Sequence, residues 1–206
     1  MKLRAAQSTH GAALRIFMII CGVIVALGGA AQVLKGVKAA GGGDQAQVQQ
    51  RLAESDAALA EGQRLLSPSA AAFQRLLDEL DKLGVGLYRS QQKEQAMKTS
   101  ELIGRAAVQV RLAEQKLEEA KKVNNDAKLK AFLDAKARSY DRVALSLAVN
   151  QEMIAMTLDE SISDLETLLP KLREASARRD ALDAEAEGAG KEAKELSQQN
   201  QRGAKK

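Results

Sequence analysis

Few residues in this chain could do chemistry, and their types restrict the possible functions. His10 is the only histidine and Cys21 the only cysteine among 206 residues. Zinc sites, di-iron bundles and Ser–His or Cys–His catalysis need such residues brought together in a folded domain. Phosphate-binding glycine motifs and calcium loops are also missing from the sequence. We therefore predict no enzyme activity, no catalytic residue, no metal site and no cofactor.

The strongest local charge bias surrounds a turn-like segment near the middle of the chain. Between residues 121 and 142, seven basic side chains face three acids, a net charge of +4. A solvated helical surface explains such a bias, and the alternative is a contact for an acidic partner, a cell-wall polymer or an anionic lipid headgroup. The candidate partner-binding residues of this tip are Lys121, Lys122, Lys128, Lys130 and Arg138.

A helical hairpin is the element that would position this tip. The cluster Val123-Asn-Asn-Asp126 is typical of a turn, and Asp126 is suited to cap the helix that follows. Apolar residues on both sides repeat at coiled-coil spacing, and one antiparallel register aligns them, with Leu117 opposite Leu133. The seam residues are Ile103, Val110, Leu117, Leu133, Tyr140 and Leu147. Lys136 interrupts this seam, and we expect its ammonium group to reach water.

The rest of the chain is also predicted to be helical, which makes the fold all-α and elongated. Two shorter helices, 45–66 and 68–83, are expected to be separated at Ser67-Pro68 and to pack near the membrane. Gly84 to Gly86 indicates a kink or a short joint. The second hairpin arm should continue past Leu158 to Leu172, with Pro170 kinking or restarting the helix. Residues 45–187 thus form a helical bundle, and 188–206 a low-complexity, disordered tail.

An apolar run from Ile16 to Leu34 predicts where this bundle resides. Its length matches a membrane-spanning helix, so residues 16–34 are interpreted as a transmembrane anchor or uncleaved signal. The basic residues among 1–15 favour a cytoplasmic N-terminus, and 35–44 read as a Gly-rich linker. The hairpin turn would then be the end farthest from the membrane. The alternative is a signal peptide cleaved near Ala31.

The charge of the folded part argues against a nucleic-acid partner. The whole chain has a formal charge of +4, but residues 44–206 carry 26 basic and 27 acidic side chains. A nucleic-acid-binding domain would show a basic excess, and four aromatic residues in this part are too few for base stacking.

These observations lead to one functional expectation and two alternatives. The first is a membrane-anchored, exported coiled-coil scaffold or adaptor that binds a protein partner or self-associates, located in a bacterial inner membrane with its C-terminal domain in the periplasm or outside. The second is a helical-bundle sensor or ligand-binding module of an envelope system, which should hold a pocket between the short helices and residues 158–172. The third is a soluble periplasmic, chaperone-like hairpin released by cleavage.

Overall fold

The computed structural model describes residues 44–203 and the side chains of 45–200, and this part is helical throughout. Helix α1 is Asp44–Val123, α2 is Ala127–Leu158 and α3 is Leu165–Gly203, and no strand occurs within the described range. The predicted all-α class is confirmed. No helix of residues 44–203 is both long and apolar enough to cross a bilayer. The predicted anchor Ile16–Leu34, its flanks 1–15 and 35–43, and residues 204–206 lie outside the described residues.

Helix α1 reverses direction at Gly84, which has φ 71° and ψ 168°. We call its two segments α1a (44–83) and α1b (85–123). The Ser55 hydroxyl donates to the Ala113 carbonyl at 2.9 Å. A straight helix would hold these residues about 87 Å apart, so the two segments must pack antiparallel. The predicted joint is therefore a complete reversal, which glycine permits because it has no Cβ.

The expected break at Pro68 is wrong, because α1a runs through this residue without leaving the helical conformation. Proline removes one backbone N–H, which leaves a carbonyl one turn earlier without its helical partner. In the same turn, the Ser69 hydroxyl donates to the Leu66 carbonyl at 2.9 Å. Leu66 and Phe73 are buried on either side of Pro68, so packing holds the helix together here.

The turn between α1b and α2 matches the prediction from sequence. Asp126 is the N-cap of α2, and its carboxylate accepts from the backbone N–H groups of Lys128 at 2.7 Å and Leu129 at 3.2 Å. Helix α2 runs back along α1b, since Gln151 donates to the Ser100 carbonyl at 3.0 Å and Arg111 pairs with Asp141 at 2.5 Å. Both contacts lie within two residues of the predicted register.

A second reversal at residues 159–164 replaces the long continuous arm that the apolar spacing predicted. The Asp159 carboxylate accepts from the Ser161 N–H at 2.9 Å, and Asp164 caps α3 by accepting from the Thr167 N–H at 2.8 Å. Helix α3 thus begins five residues before Pro170, which lies inside it without restarting it. Arg89 of α1b holds the loop by donating to the carbonyls of Thr157 and Ile162.

Helix α3 returns along α2 to Gly203, where the sequence had indicated a disordered tail from residue 188. The Ser139 hydroxyl donates to the Ala186 carbonyl at 2.9 Å, and Arg138 pairs with Glu192 at 2.9 Å. Ala193 is 1% exposed. The segment has few large apolar residues, but small side chains allow it to pack closely against α2.

The four antiparallel segments give the bundle two distinct ends. The Asp44 end contains the start of α1, the turn 124–126 and the end of α3, because Arg51 pairs with Glu119 at 3.2 Å. The Gly84 end contains residues 84–86 and 159–164 and lies about 58 Å away, the length of a 39-residue helix. The hairpin turn was predicted to be the end farthest from an anchor, yet it lies beside the first residues of α1.

Candidate functional site

The predicted basic tip divides into paired and unpaired side chains. Lys121 pairs with Glu118 and Asp134, and Arg138 pairs with Glu192 on α3. Lys122, Lys128 and Lys130 are exposed and make no ion pair with any described residue. The five residues therefore do not act as one cluster, and only three of them present an uncompensated positive charge to solvent.

A shallow groove between α1b and α2 lies close to this turn. It encloses about 360 Å³, and it is lined by more acids than bases: Glu114, Glu118, Asp134 and Asp141, with Lys121 and Arg138. Two ion pairs, Lys121–Asp134 and Arg111–Asp141, link α1b to α2 at this groove. The net charge of +4 counted along residues 121–142 is thus not the charge of the groove, whose lining is acidic.

The six predicted seam residues are all in the core. Ile103, Val110, Leu117 and Leu133 are fully buried, and Tyr140 and Leu147 are 1% exposed. Their role is to hold α1b against α2. The Tyr140 hydroxyl is buried without a hydrogen-bond partner, and burial raises the pKa of this phenol well above its ordinary value.

Lys136 is buried with its charge, contrary to the expectation that its ammonium group would reach water. Its side chain is 1% exposed, and Nζ lies 2.9 Å from Oδ1 of Asp56 on α1a. The ammonium also lies 5.9 Å from the ring centroid of Phe132 and 5.6 Å from that of Tyr140, within cation–π range. Burial lowers the pKa of Lys136, and the nearby Asp56 carboxylate opposes this shift.

A layer of polar side chains lies between α2 and α3, and the sequence analysis missed it. It comprises Ser146, Asn150, Arg179 and Asp183, each at most 6% exposed. The Ser146 hydroxyl, both amide atoms of Asn150 and both carboxylate oxygens of Asp183 are without hydrogen-bond partners. Arg179 instead bonds Asp180 at 2.8 Å and Ser176 at 3.1 Å, both on its own helix.

The polar layer perturbs one ionisable group strongly. Burial raises the pKa of Asp183 to about 6, while Ser146 and Arg179 nearby favour the charged form too weakly to prevent this. Spacing could have revealed the layer, because Leu168, Leu172, Ala175, Arg179, Asp183 and Ala186 continue one helical face of α3. The apolar spacing predicts instead that residues 158–172 continue α2. Because of that prediction, the charged residues of this face are not expected to be buried against α2.

One face of α1b exposes large apolar side chains. Leu87 is 56%, Met97 57%, Val108 64% and Leu112 39% exposed. At 100° per residue these four fall within an arc of about 80°, roughly opposite the buried seam of the same helix. We call this set the outer stripe.

Metal chemistry has no candidate in the described part of the chain. Residues 44–203 contain no group of three or more His, Cys, Asp or Glu side chains arranged to hold a metal ion. The buried charges at Lys136 and Asp183 lie inside helix interfaces.

Comparisons with known proteins give no family assignment. No protein-family model matches the chain, and no curated protein or solved structure matches it either.

Proposed function

We propose that the chain is a membrane-anchored structural or interaction protein, a scaffold or adaptor without catalytic activity. The apolar run Ile16–Leu34 would hold it in a bacterial inner membrane, and the bundle of residues 44–203 would lie in the periplasm or outside the cell. The buried Lys136–Asp56 pair supports a structural role, because the ammonium group is enclosed and already paired.

The outer stripe is the observation that carries the interaction role. Val108 and Leu112 are one helical turn apart, and neighbouring exposed apolar side chains are commonly part of a contact surface. The stripe runs along most of α1b, from Leu87 near the Gly84 end to Leu112. A helical partner, including a second copy of this chain, would cover such a stripe with its own apolar face.

Site-specific cross-linking from membranes tests this proposal. A photo-reactive residue at Val108 should capture a defined partner or a second copy, whereas one at the exposed Glu174 of α3 should not. With the photo-reactive residue kept at position 108, the double variant Met97→Glu with Leu112→Glu should abolish capture and leave the helical circular dichroism unchanged, since both side chains are exposed. Equal capture from the two positions would contradict the proposal.

Membrane retention is tested separately. If residues 16–34 form the anchor, the full chain stays with the membrane during alkaline extraction, and its mass includes the N-terminal segment. Loss of about thirty residues would instead support the cleaved, chaperone-like alternative.

The sensor alternative draws support from the polar layer between α2 and α3. A small ligand that satisfied the unpartnered atoms of Asn150 and Asp183 would change how α3 packs. The described groove of about 360 Å³ lies near the turn 124–126 and not beside residues 158–172, where this alternative expected a pocket. A ligand that raises the melting temperature of the native chain but not of the Asp183→Asn variant would favour the sensor.

A further inference from the structure

Three unpaired lysines share the Asp44 end of the bundle. Lys122 lies in the last turn of α1, and Lys128 and Lys130 lie in the first turn of α2. All three are exposed, and none forms an ion pair with a described residue. Asp126 is the one acid in the stretch 120–130, and its carboxylate accepts two backbone N–H groups of α2. The turn therefore presents three unpaired positive charges to solvent at this end.

The chain enters the bundle at the same end. Arg51 contacts Glu119, and Asp44 begins α1 two helical turns before Arg51, which places it level with the turn 124–126. Ten peptide units separate Leu34 from Asp44, and they span at most about 36 Å when fully extended. A membrane anchor at 16–34 thus limits the distance of Asp44 from the bilayer to about 36 Å, while the Gly84 end can lie about 58 Å farther away.

We propose that Lys122, Lys128 and Lys130 bind the phosphate groups of anionic phospholipids in the membrane that holds the chain. This inference rests on the proposed anchor and adds a second, electrostatic contact to it. A lysine ammonium binds phosphate as a point charge and acts within a Debye length of about 8 Å at physiological salt. Each lysine close to an anionic surface favours the docked state about fivefold, so three together favour it about 100-fold.

Docking would give the bundle a fixed orientation. With the Asp44 end against the headgroups, the outer stripe on α1b stands along the membrane normal, where it is accessible from the side. With the anchor alone, the bundle could lie flat on the membrane. The anchor and the three lysines together would keep its long axis along the membrane normal.

Energy transfer to labelled headgroups tests the proposal on the full chain in vesicles. Cys21→Ser removes the native thiol, and a donor dye is placed at Asn125→Cys beside the lysines or at Gly86→Cys at the Gly84 end. Both positions are exposed, and a Cβ at Gly86 meets no atom within 4 Å. Vesicles are made of neutral phosphatidylcholine or of a mixture with phosphatidylglycerol. A headgroup-linked acceptor is present in both.

The docked state predicts strong transfer from position 125 in the anionic vesicles, with weaker transfer in neutral vesicles or at high salt. Transfer from position 86 should be weak in all of them. Replacing Lys122, Lys128 and Lys130 by glutamine should reduce the docked-to-undocked ratio about 100-fold. The control variant replaces Lys82, Lys93 and Lys171 by glutamine. These are exposed lysines near the Gly84 end, and their replacement should leave the docked-to-undocked ratio unchanged.

The two proposals fail in different ways. A chain that is released by alkaline extraction contradicts the anchor, whatever the dyes report. A chain that is retained, but whose transfer from position 125 does not depend on lipid charge or on the three lysines, overturns lipid binding and leaves the anchor standing.

Discussion

The two sides of α2 differ in chemistry, although both are buried. The side that faces α1 is lined mainly by large apolar residues such as Leu133, Leu147 and Ile154, each at most 2% exposed, and its buried charge, Lys136, is paired with Asp56. The side that faces α3 carries Ser139, Ser146 and Asn150, and α3 contributes the buried Arg179 and Asp183 to the same interface. Apolar burial stabilises the first interface, where the Tyr140 hydroxyl is unpartnered, whereas five unpartnered polar atoms of Ser146, Asn150 and Asp183 destabilise the second. We infer that α3 is held less firmly than the two segments of α1.

Ion pairs at the edges do not compensate for this difference. Arg138–Glu192, Arg142–Glu185 and Arg178–Glu152 link α2 to α3, and all six side chains are at least 41% exposed. Exposed pairs of this kind contribute about 0–1 kcal/mol each. These pairs help to set the alignment of α3 along α2, but they add little to the stability of the interface.

The largest expected effect comes from a charge in the apolar interface. Leu117→Asp places an unpaired carboxylate at a fully buried position opposite Leu133, and should reduce the free energy of unfolding by more than about 4 kcal/mol. Val108→Asp on the same helix should change it by less than about 0.5 kcal/mol, since Val108 is 64% exposed. Urea unfolding measures both. A small loss for Leu117→Asp would contradict the assignment of α1b and α2 as the firm interface.

The buried ion pair gives the next largest effect and an asymmetry. Asp56→Ala leaves the Lys136 ammonium enclosed without a counter-ion and should cost about 3 kcal/mol. Lys136→Met removes the buried charge and retains the volume, so it should be close to neutral or stabilising. Thermal unfolding of the two variants compares them. A negligible cost for Asp56→Ala would mean that the ammonium reaches solvent in the native protein.

The polar interface predicts a pH dependence. The pKa of Asp183 is raised to about 6 in the fold, against 3.8 for an ordinary aspartate, so the unfolded state loses this proton first as pH rises. The contribution of Asp183 to the free energy of unfolding is therefore full below about pH 4. It falls by about 3 kcal/mol as the pH rises to about 6. Asp183→Asn should remove this slope, and Asp81→Asn at an exposed site should not. Urea titrations at several pH values provide the comparison.

The smallest effect concerns the joint that allows α1 to build the apolar interface. Gly84 has a φ of 71° and a ψ of 168°, a region that side chains with a Cβ avoid, so Gly84→Ala should cost about 1–3 kcal/mol. Gly86 is two residues away, and an added Cβ there meets no atom within 4 Å. Gly86→Ala should be neutral, or stabilising by up to about 1 kcal/mol. Similar costs at both glycines would show that the reversal does not depend on Gly84.

The sequence predicts the elements whose signals are local. The turn 123–126 follows from adjacent asparagines and a capping aspartate, and the seam from apolar spacing on both sides of it. The reversal at 159–164 was missed because Leu158, Ile162 and Leu165 keep the helical spacing across it. Its signal was the capping pair Asp159 and Asp164 with two serines between them, which the apolar pattern outweighed.

Other features depend on contacts between distant residues and were not predictable from one sequence. Lys136 is buried because the reversal at Gly84 brings Asp56 to it across 80 positions of chain. The same reversal moves the basic turn from the expected far end to the Asp44 end. Within the candidate site, composition identifies the basic residues, but which of them are paired depends on acids of neighbouring helices, Asp134 of α2 for Lys121 and Glu192 of α3 for Arg138.

Native-state hydrogen exchange of the full chain tests the central claim most directly, namely that α3 is held less firmly than α1b and α2. We predict that backbone amides of residues 175–193 exchange through an opening about 2–3 kcal/mol less costly than that of residues 103–117 and 133–147. We also predict that Asp183→Asn narrows this gap at neutral pH. Uniform protection of all three segments, unchanged by that substitution, would contradict the account.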